Sequence, residues 1–247
     1  MAGEVLIEAK GVTRILPGIV PVTLVRGINL AIHANEFVAI TGPSGSGKSS
    51  LLYLLGLLDL PTEGEVTIRC KATAQMAEDE RAHVRLSELG FVFQFHFLLP
   101  EFTALENVML PMRALGRLPR EAMPRRAAKL LAALGLAEHG HKRPDQLSGG
   151  QRQRVAVARS LANDPPIILA DEPTGSLASR SSEQVFEILR DLVARHGKTV
   201  VAVTHDLGLA ARMTRRIHLV DGAIATDEVA HGGTPDRQTV LSDGNDP

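Results

Sequence analysis

The 247-residue sequence has a single cysteine, Cys70, no tryptophan and one tyrosine. One cysteine excludes an internal disulfide framework and fits a reducing compartment. Cys70 itself reads as an ordinary small apolar residue. Seven Phe and one Tyr make up the whole aromatic set, too few for a platform on which bases stack. An excess of one charge is missing as well. Lys and Arg number 27 against 28 Asp and Glu, a formal net charge of -1, so no global positive field is available to hold nucleic acid. No run approaches the roughly 18 apolar residues of a membrane span. The opening MAGEVLIEAK lacks the basic start and long apolar stretch of a secretory signal.

What remains is a chain that is 44% apolar and 22% charged, the makeup of one globular unit with a substantial core. Segments 5–9 and 22–32 pattern as strands of an antiparallel opening sheet. Segment 37–40 is a short apolar strand that runs into a Gly-rich turn and then a helical run over 49–58. Further strands are expected at 66–68 and 91–93, with a helix over 81–88 between them. From Thr103 the texture becomes helical: Thr103 and Glu106 form a capping-box pair, and 120–134 is a helix ending at Gly135. Uninterrupted apolar strands return at 167–170 and 199–203, separated by a helix ending near His196 and Gly197, as buried parallel strands with crossover helices require. Segments 216–220 and 223–226 flank Asp221-Gly222 in a hairpin pattern.

The turn after the 37–40 strand reads Gly42-Pro43-Ser44-Gly45-Ser46-Gly47-Lys48-Ser49, followed by Ser50, and satisfies GxxxxGK[ST] between a strand and a helix. Glycines let successive N–H groups turn inward around a phosphate, and the helix start adds its dipole. Lys48 supplies a full charge to the β and γ phosphates, and the Ser49 hydroxyl suits Mg2+. A Gly/Ser stretch also makes a plain flexible turn, but an accidental match of the four fixed positions is roughly a percent-level event. ATP and Mg2+ are therefore the expected ligands.

Asp171 and Glu172 follow the 167–170 strand, at the carboxyl edge where α/β sheets place their ligands. Neighbouring strand side chains point oppositely, so Asp171 faces the metal while Glu172 is placed to take a proton from the attacking water. His205 and Gln94 also stand at strand ends beside this sheet. His205 is placed for the γ phosphate and Gln94 for metal or water, although either type is as readily an ordinary loop residue.

Leu147-Ser148-Gly149-Gly150-Gln151, at the head of a helix, resembles the signature of ATP-binding cassette (ABC) ATPases. It stands between the glycine loop and the Asp-Glu strand, in that family's order. The resemblance implies an α/β P-loop NTPase core with an antiparallel β subdomain and a helical signature subdomain over about 95–161, one ATPase domain over 1–235 and a polar tail over 236–247. It further implies ATP hydrolysis, with Gln94 as the Q-loop residue, His205 as the switch histidine, and a head-to-tail homodimer in which Ser148, Gly149, Gly150 and Gln151 of one copy close over ATP on the other's loop. The stretch GFVFQFHFLLPEFTALENV over 90–108 is most similar to the lipoprotein-releasing (LolD-type) branch. That implies a peripheral subunit on the cytoplasmic face of an inner membrane, bound to a permease pair of the LolC and LolE kind, with no nucleic acid involved. The alternatives are an ATP-dependent regulatory switch of the cell-division type and the ATPase of a macrolide or peptide exporter. Two positions depart from the family pattern: Ile15 stands where an aromatic residue usually stacks on adenine, and Ala178 replaces the usual aspartate in EPTGSLAS.

Overall fold

The computed structural model describes residues 3–230. Its central sheet is built on segments whose apolar runs are unbroken because helices or a second sheet cover both faces. β3 (Phe37–Thr41), β7 (Ile167–Asp171) and β8 (Thr199–Val203) are buried at every position. With β6 (Leu89–Phe93), β9 (Arg215–Val220) and β10 (Ala223–Val229) they form a six-stranded sheet in the order β10-β9-β3-β8-β7-β6. All neighbours are parallel except the β9/β10 hairpin. A second, antiparallel sheet has the order β2-β1-β4-β5, from β1 (Val5–Leu16), β2 (Val22–His33), β4 (Glu63–Ile68) and β5 (Lys71–Ala72).

Strand alternation divides the core. Val38, Ile40, Leu169, Val201 and Val203 face the second sheet and α1 (Lys48–Leu55), whereas Phe37, Ala39, Ile168, Ala170 and Ala202 face α6 (Ser179–His196) through Val185, Phe186 and Leu189. A third apolar cluster lies among α3 (Ala104–Leu115), α4 (Met123–Ala133) and α5 (Gly149–Ser160). α2 (Glu78–Glu88) leads into β6, and α7 (Leu207–Ala210) follows β8. The expected capping box is present: Thr103 N–H donates to Glu106 Oε2 at 2.8 Å, and Glu106 N–H donates back to Thr103 Oγ1 at 3.2 Å. The Thr103 N–H and, after it, the Thr103 hydroxyl, which donates to the same Oε2 at 2.9 Å, hold the Glu106 carboxyl below the usual range.

Some details differ from the sequence reading. The helix expected to reach residue 58 stops at Leu55, because Gly56 lies flat against Phe91 and Leu169 and Leu57 turns to φ 57°. β1 runs on to Leu16, well past the expected residue 9, because β2 pairs with it to the end of the hairpin. Cys70, read from the sequence as an ordinary small apolar residue, is exposed. Arg69 (φ 46°) and Cys70 (φ 63°) form the two-residue connection from β4 to β5, a geometry that needs positive φ at both positions. Asp221 and Gly222 make the same kind of turn between β9 and β10, where the sequence did announce it. The tail 236–247 and the boundary at 235 lie outside the described residues.

Candidate functional site

The loop 42–49 joins the carboxyl end of β3 to the start of α1, and its shape depends on two glycines. A Cβ on Gly42 (φ 146°) would lie 2.2 Å from the Leu219 carbonyl oxygen, and one on Gly47 (φ 92°) 2.2 Å from that of Leu24. Both neighbours are backbone, so neither position admits a side chain. Gly47 is also the N-cap of α1, which leaves the first N–H groups of that helix without side-chain partners. Lys48 arches back over the loop, its Nζ donating to the carbonyls of Gly42 (2.9 Å) and Pro43 (2.7 Å). Pro43, Ser44 and Gly45 are exposed at the rim, while Ser50 lies half-buried in the first turn of α1. The Ser46 hydroxyl is buried and has no hydrogen-bond partner. A cradle of helix-start N–H groups, one lysine and an unpartnered buried hydroxyl fits a polyphosphate.

Ser49 Oγ donates to Asp171 Oδ1 at 2.9 Å, joining the start of α1 to the end of β7. Asp171 Oδ2 accepts from the Tyr53 hydroxyl at 2.8 Å. A hydroxyl and a carboxylate form a hard-oxygen donor pair, and no group of three or more His, Cys, Asp or Glu suited to a metal occurs among the described residues. That sparse set fits Mg2+, which keeps water and phosphate oxygens as most of its ligands. Burial, first, and the bond to Asp171 push the Tyr53 phenol up to about 12. Its folded value therefore exceeds that of a free phenol, so the stabilisation is complete below about pH 10 and is lost as pH rises towards 12. Tyr53→Phe is expected to reduce stability by about 1 kcal/mol at neutral pH. Urea unfolding between pH 7 and 11 should show the variant without the alkaline decline of the parent.

Glu172 is in the left-handed region (φ 46°), held there by its N–H donating to the Val203 carbonyl at 3.0 Å. This turns its side chain away from Asp171 and onto His205, whose Nδ1 lies 2.6 Å from Glu172 Oε2. His205 is exposed, with 66% of its side-chain surface accessible against 23% for Glu172. Gln94 follows Phe93, which pairs with Asp171 across β6 and β7. A methyl group on Gly175 would lie 2.9 Å from Glu172 Oε2 and 3.1 Å from Gln94 Nε2, so these two side chains meet over Gly175.

The structure thus brings together Ser49, Asp171, Glu172, His205 and Gln94 at the carboxyl edges of β6, β7 and β8, beside the loop after β3. It does not bring Ser148, Gly149, Gly150 and Gln151 to that loop. Ser148 caps α5, with Gln151 N–H donating to its Oγ at 3.3 Å and Ser148 N–H donating to Gln151 Oε1 at 2.8 Å. Gly149 and Gly150 lie instead against Leu177 and Ser181. Tyr53 escaped the sequence reading; its place one turn after Ser49 on a helix was the available signal. Ala178 is the N-cap of the 18-residue α6 and supplies no side-chain cap. Ala178→Asp is expected to raise stability by about 1 kcal/mol, measured as a higher urea midpoint.

The sequence model described as "ABC transporter" matches residues 25–175. The chain belongs to the ABC transporter family. Among relatives of this cassette, "Lipoprotein-releasing system ATP-binding protein LolD 1" of Chlorobium chlorochromatii is 49% identical over 205 residues, 83% of each chain. LolD of Ruegeria sp. is 47% identical over 223 residues, 90% of this chain and 98% of the relative. The cassette also superposes on the dimeric post-hydrolysis structure of the ATP-binding cassette MJ0796 bound to ADP and Pi, with a TM-score of 0.86 and 44% identity over 92% of this chain and 100% of that one. The fold is that of an ABC ATPase, and the activity of the cassette is ATP hydrolysis.

Proposed function

We propose that two copies of this cassette associate head to tail and power an inner-membrane permease of the LolC and LolE kind that releases lipoproteins. Each copy would hold ATP on its loop 42–49, while the other contributes Ser148, Gly149, Gly150 and Gln151. The observation that carries this reading is the convergence of Ser49–Asp171 (2.9 Å) and Glu172–His205 (2.6 Å) beside a phosphate cradle. The α5 start, by contrast, stays apart from that cradle within one chain. A second copy supplies what is missing.

In this reading Gly42 to Ser50 bind the phosphates, and Ser49, Asp171 and Gln94 hold Mg2+. Mg2+, when bound, neutralises phosphate charge as it develops. Glu172 accepts a proton from water while the water oxygen bonds to the γ phosphorus. The bond from that phosphorus to the bridging oxygen breaks, and ADP departs with the electron pair. His205 would orient the Glu172 carboxylate through Nδ1 and keep Nε2 for the γ phosphate, the role expected of it from the sequence. One catalytic unit would span 1–235, with its helical part over about 95–161.

The permease side of the reading rests on an apolar surface. Phe95, Phe97 and Leu99 are exposed. The Phe97 ring packs edge-on to Phe93, at 5.5 Å between centroids. Phe93 in turn lines a groove of about 380 Å³ with Leu58, Arg85, Leu86, Phe91 and Pro111. A surface patch of this kind suits a short amphipathic helix of a membrane partner. No helix among the described residues is long and apolar enough to cross a membrane. On the likeness to the LolD relatives, the cassette would sit peripherally on the cytoplasmic face. The names of the LolD relatives support lipoproteins as cargo.

The test is purification of the cassette with its native membrane partner, followed by reconstitution. ATP-dependent release of a lipoprotein from the vesicles is expected. Release of a macrolide or peptide instead, or ATP-dependent activation of a cell-wall hydrolase without any cargo, would overturn the assignment.

A further inference from the structure

The segment after Gln94 has almost no backbone ladder of its own, and its shape is set by side chains reaching in from α5 and α3. Gln153 Nε2 donates to the Phe93 carbonyl at 3.0 Å. Arg159 donates from Nη2 to the His96 carbonyl and from Nη1 to the Phe97 carbonyl, both at 2.7 Å. Asn107 of α3 holds Leu99 by its N–H (2.8 Å) and its carbonyl (3.1 Å). Phe97 is a non-glycine residue at φ 45°, a conformation that persists only where such contacts over-determine it.

Arg152 occupies a different place in this set. Its Nε donates to the imidazole Nε2 of His96 at 2.8 Å, while its Nη1 donates to the carbonyls of Leu147 (2.8 Å) and Pro144 (3.3 Å). One guanidinium therefore spans from the residue two places past Gln94 to the residue immediately before Ser148. The fork is planar and rigid, so displacement at one end is felt at the other. α5 is a single 12-residue helix that carries Ser148 at its N-cap and Arg152, Gln153 and Arg159 along its length.

We infer that His96 is a positioning residue: by accepting from Arg152 it ties the segment after Gln94 to the Ser148–Gly150 turn, so that the two parts of the ATPase machinery shift as one. This rests on the roles proposed above for Gln94 and Ser148–Gly150. The bond requires the imidazole to be neutral with its proton on Nδ1, since Nε2 is the acceptor. Burial, then Arg152 and Arg159, push His96 below the ordinary histidine range, which keeps it in that form. Both arginines come from α5, and no carboxylate acts among these causes. Nδ1 is buried and has no partner of its own.

Amide hydrogen exchange on the nucleotide-free full chain tests the tie without relying on catalysis. His96→Leu and Arg152→Met are each expected to speed exchange about tenfold in both 94–99 and 147–150, and the double variant no further. His96→Gln, which keeps an acceptor, should restore the parent's protection. In steady-state ATPase assays, kcat should fall about tenfold in His96→Leu with KM for ATP unchanged, and recover in His96→Gln. Faster exchange confined to 94–99, additive effects in the double variant, or an unchanged kcat would each overturn the inference. If His96→Leu fails to fold, His96→Gln and Arg152→Met carry the comparison. Loss of the proposed roles would show separately, as parent kcat that is insensitive to substitution of Gln94 or Ser148 while the paired exchange persists.

Discussion

Glu172→Gln is expected to lower kcat by roughly 10²- to 10⁴-fold and to leave ATP affinity nearly unchanged. The substitution keeps the shape and the hydrogen-bonding reach of the side chain but removes its capacity to take a proton. The Glu172 side chain meets His205 at 2.6 Å and lies over Gly175 near Gln94. Binding and turnover are thus separable at this position, because the residue acts on water and not on the phosphates. Quenched-flow or coupled-assay turnover together with equilibrium binding of a fluorescent ATP analogue checks both halves. Turnover within threefold of the parent would remove Glu172 from the role of base.

Lys48→Ala should have the opposite signature, with ATP affinity reduced by about 10²-fold or more. In the nucleotide-free chain the ammonium spans its own loop, donating to Gly42 and Pro43. These are neutral carbonyl acceptors, so exchanging them for phosphate oxygens replaces ammonium–dipole bonds with stronger bonds between opposite full charges. The helix-start N–H groups and the loop glycines remain in the variant, so the fold is expected to persist. A melting temperature near the parent's, alongside lost binding, separates this outcome from misfolding. Unaltered affinity would show that the cradle works without its cation.

The parts of the molecule that were legible in the sequence are those whose physics is local. β3, loop 42–49 and α1 announce themselves because an apolar run, positive-φ glycines and a helix start succeed one another within a few residues. The fully buried β7 and β8 follow from unbroken apolar runs, and the Thr103/Glu106 cap from a three-residue spacing. Asp221-Gly222 was readable as a tight turn, but Arg69-Cys70, which has the same backbone geometry, was not. Neither of its residues prefers positive φ, so tertiary pairing of β4 with β5 must impose it. The strand-end residues could be placed beside one sheet, yet their mutual contacts could not be read. Glu172 meets His205 33 positions away, Asp171 meets Tyr53 118 away, and Arg152 meets His96 56 away. Such pairings depend on strand order and on left-handed turns such as that at Glu172, which no local pattern encodes. The departure at Ala178 was visible in the sequence, but its consequence as an uncapped helix start came only with the boundary of α6.

Two chains completing each other's sites is the premise on which the transport reading stands, and sedimentation equilibrium of the Glu172→Gln chain addresses it most directly. With saturating ATP and Mg2+ a species of twice the chain mass is expected, returning to a single chain when nucleotide is removed. A single-chain mass at every ATP concentration would contradict it, for the Ser148–Gly150 turn would then have no phosphate to close upon.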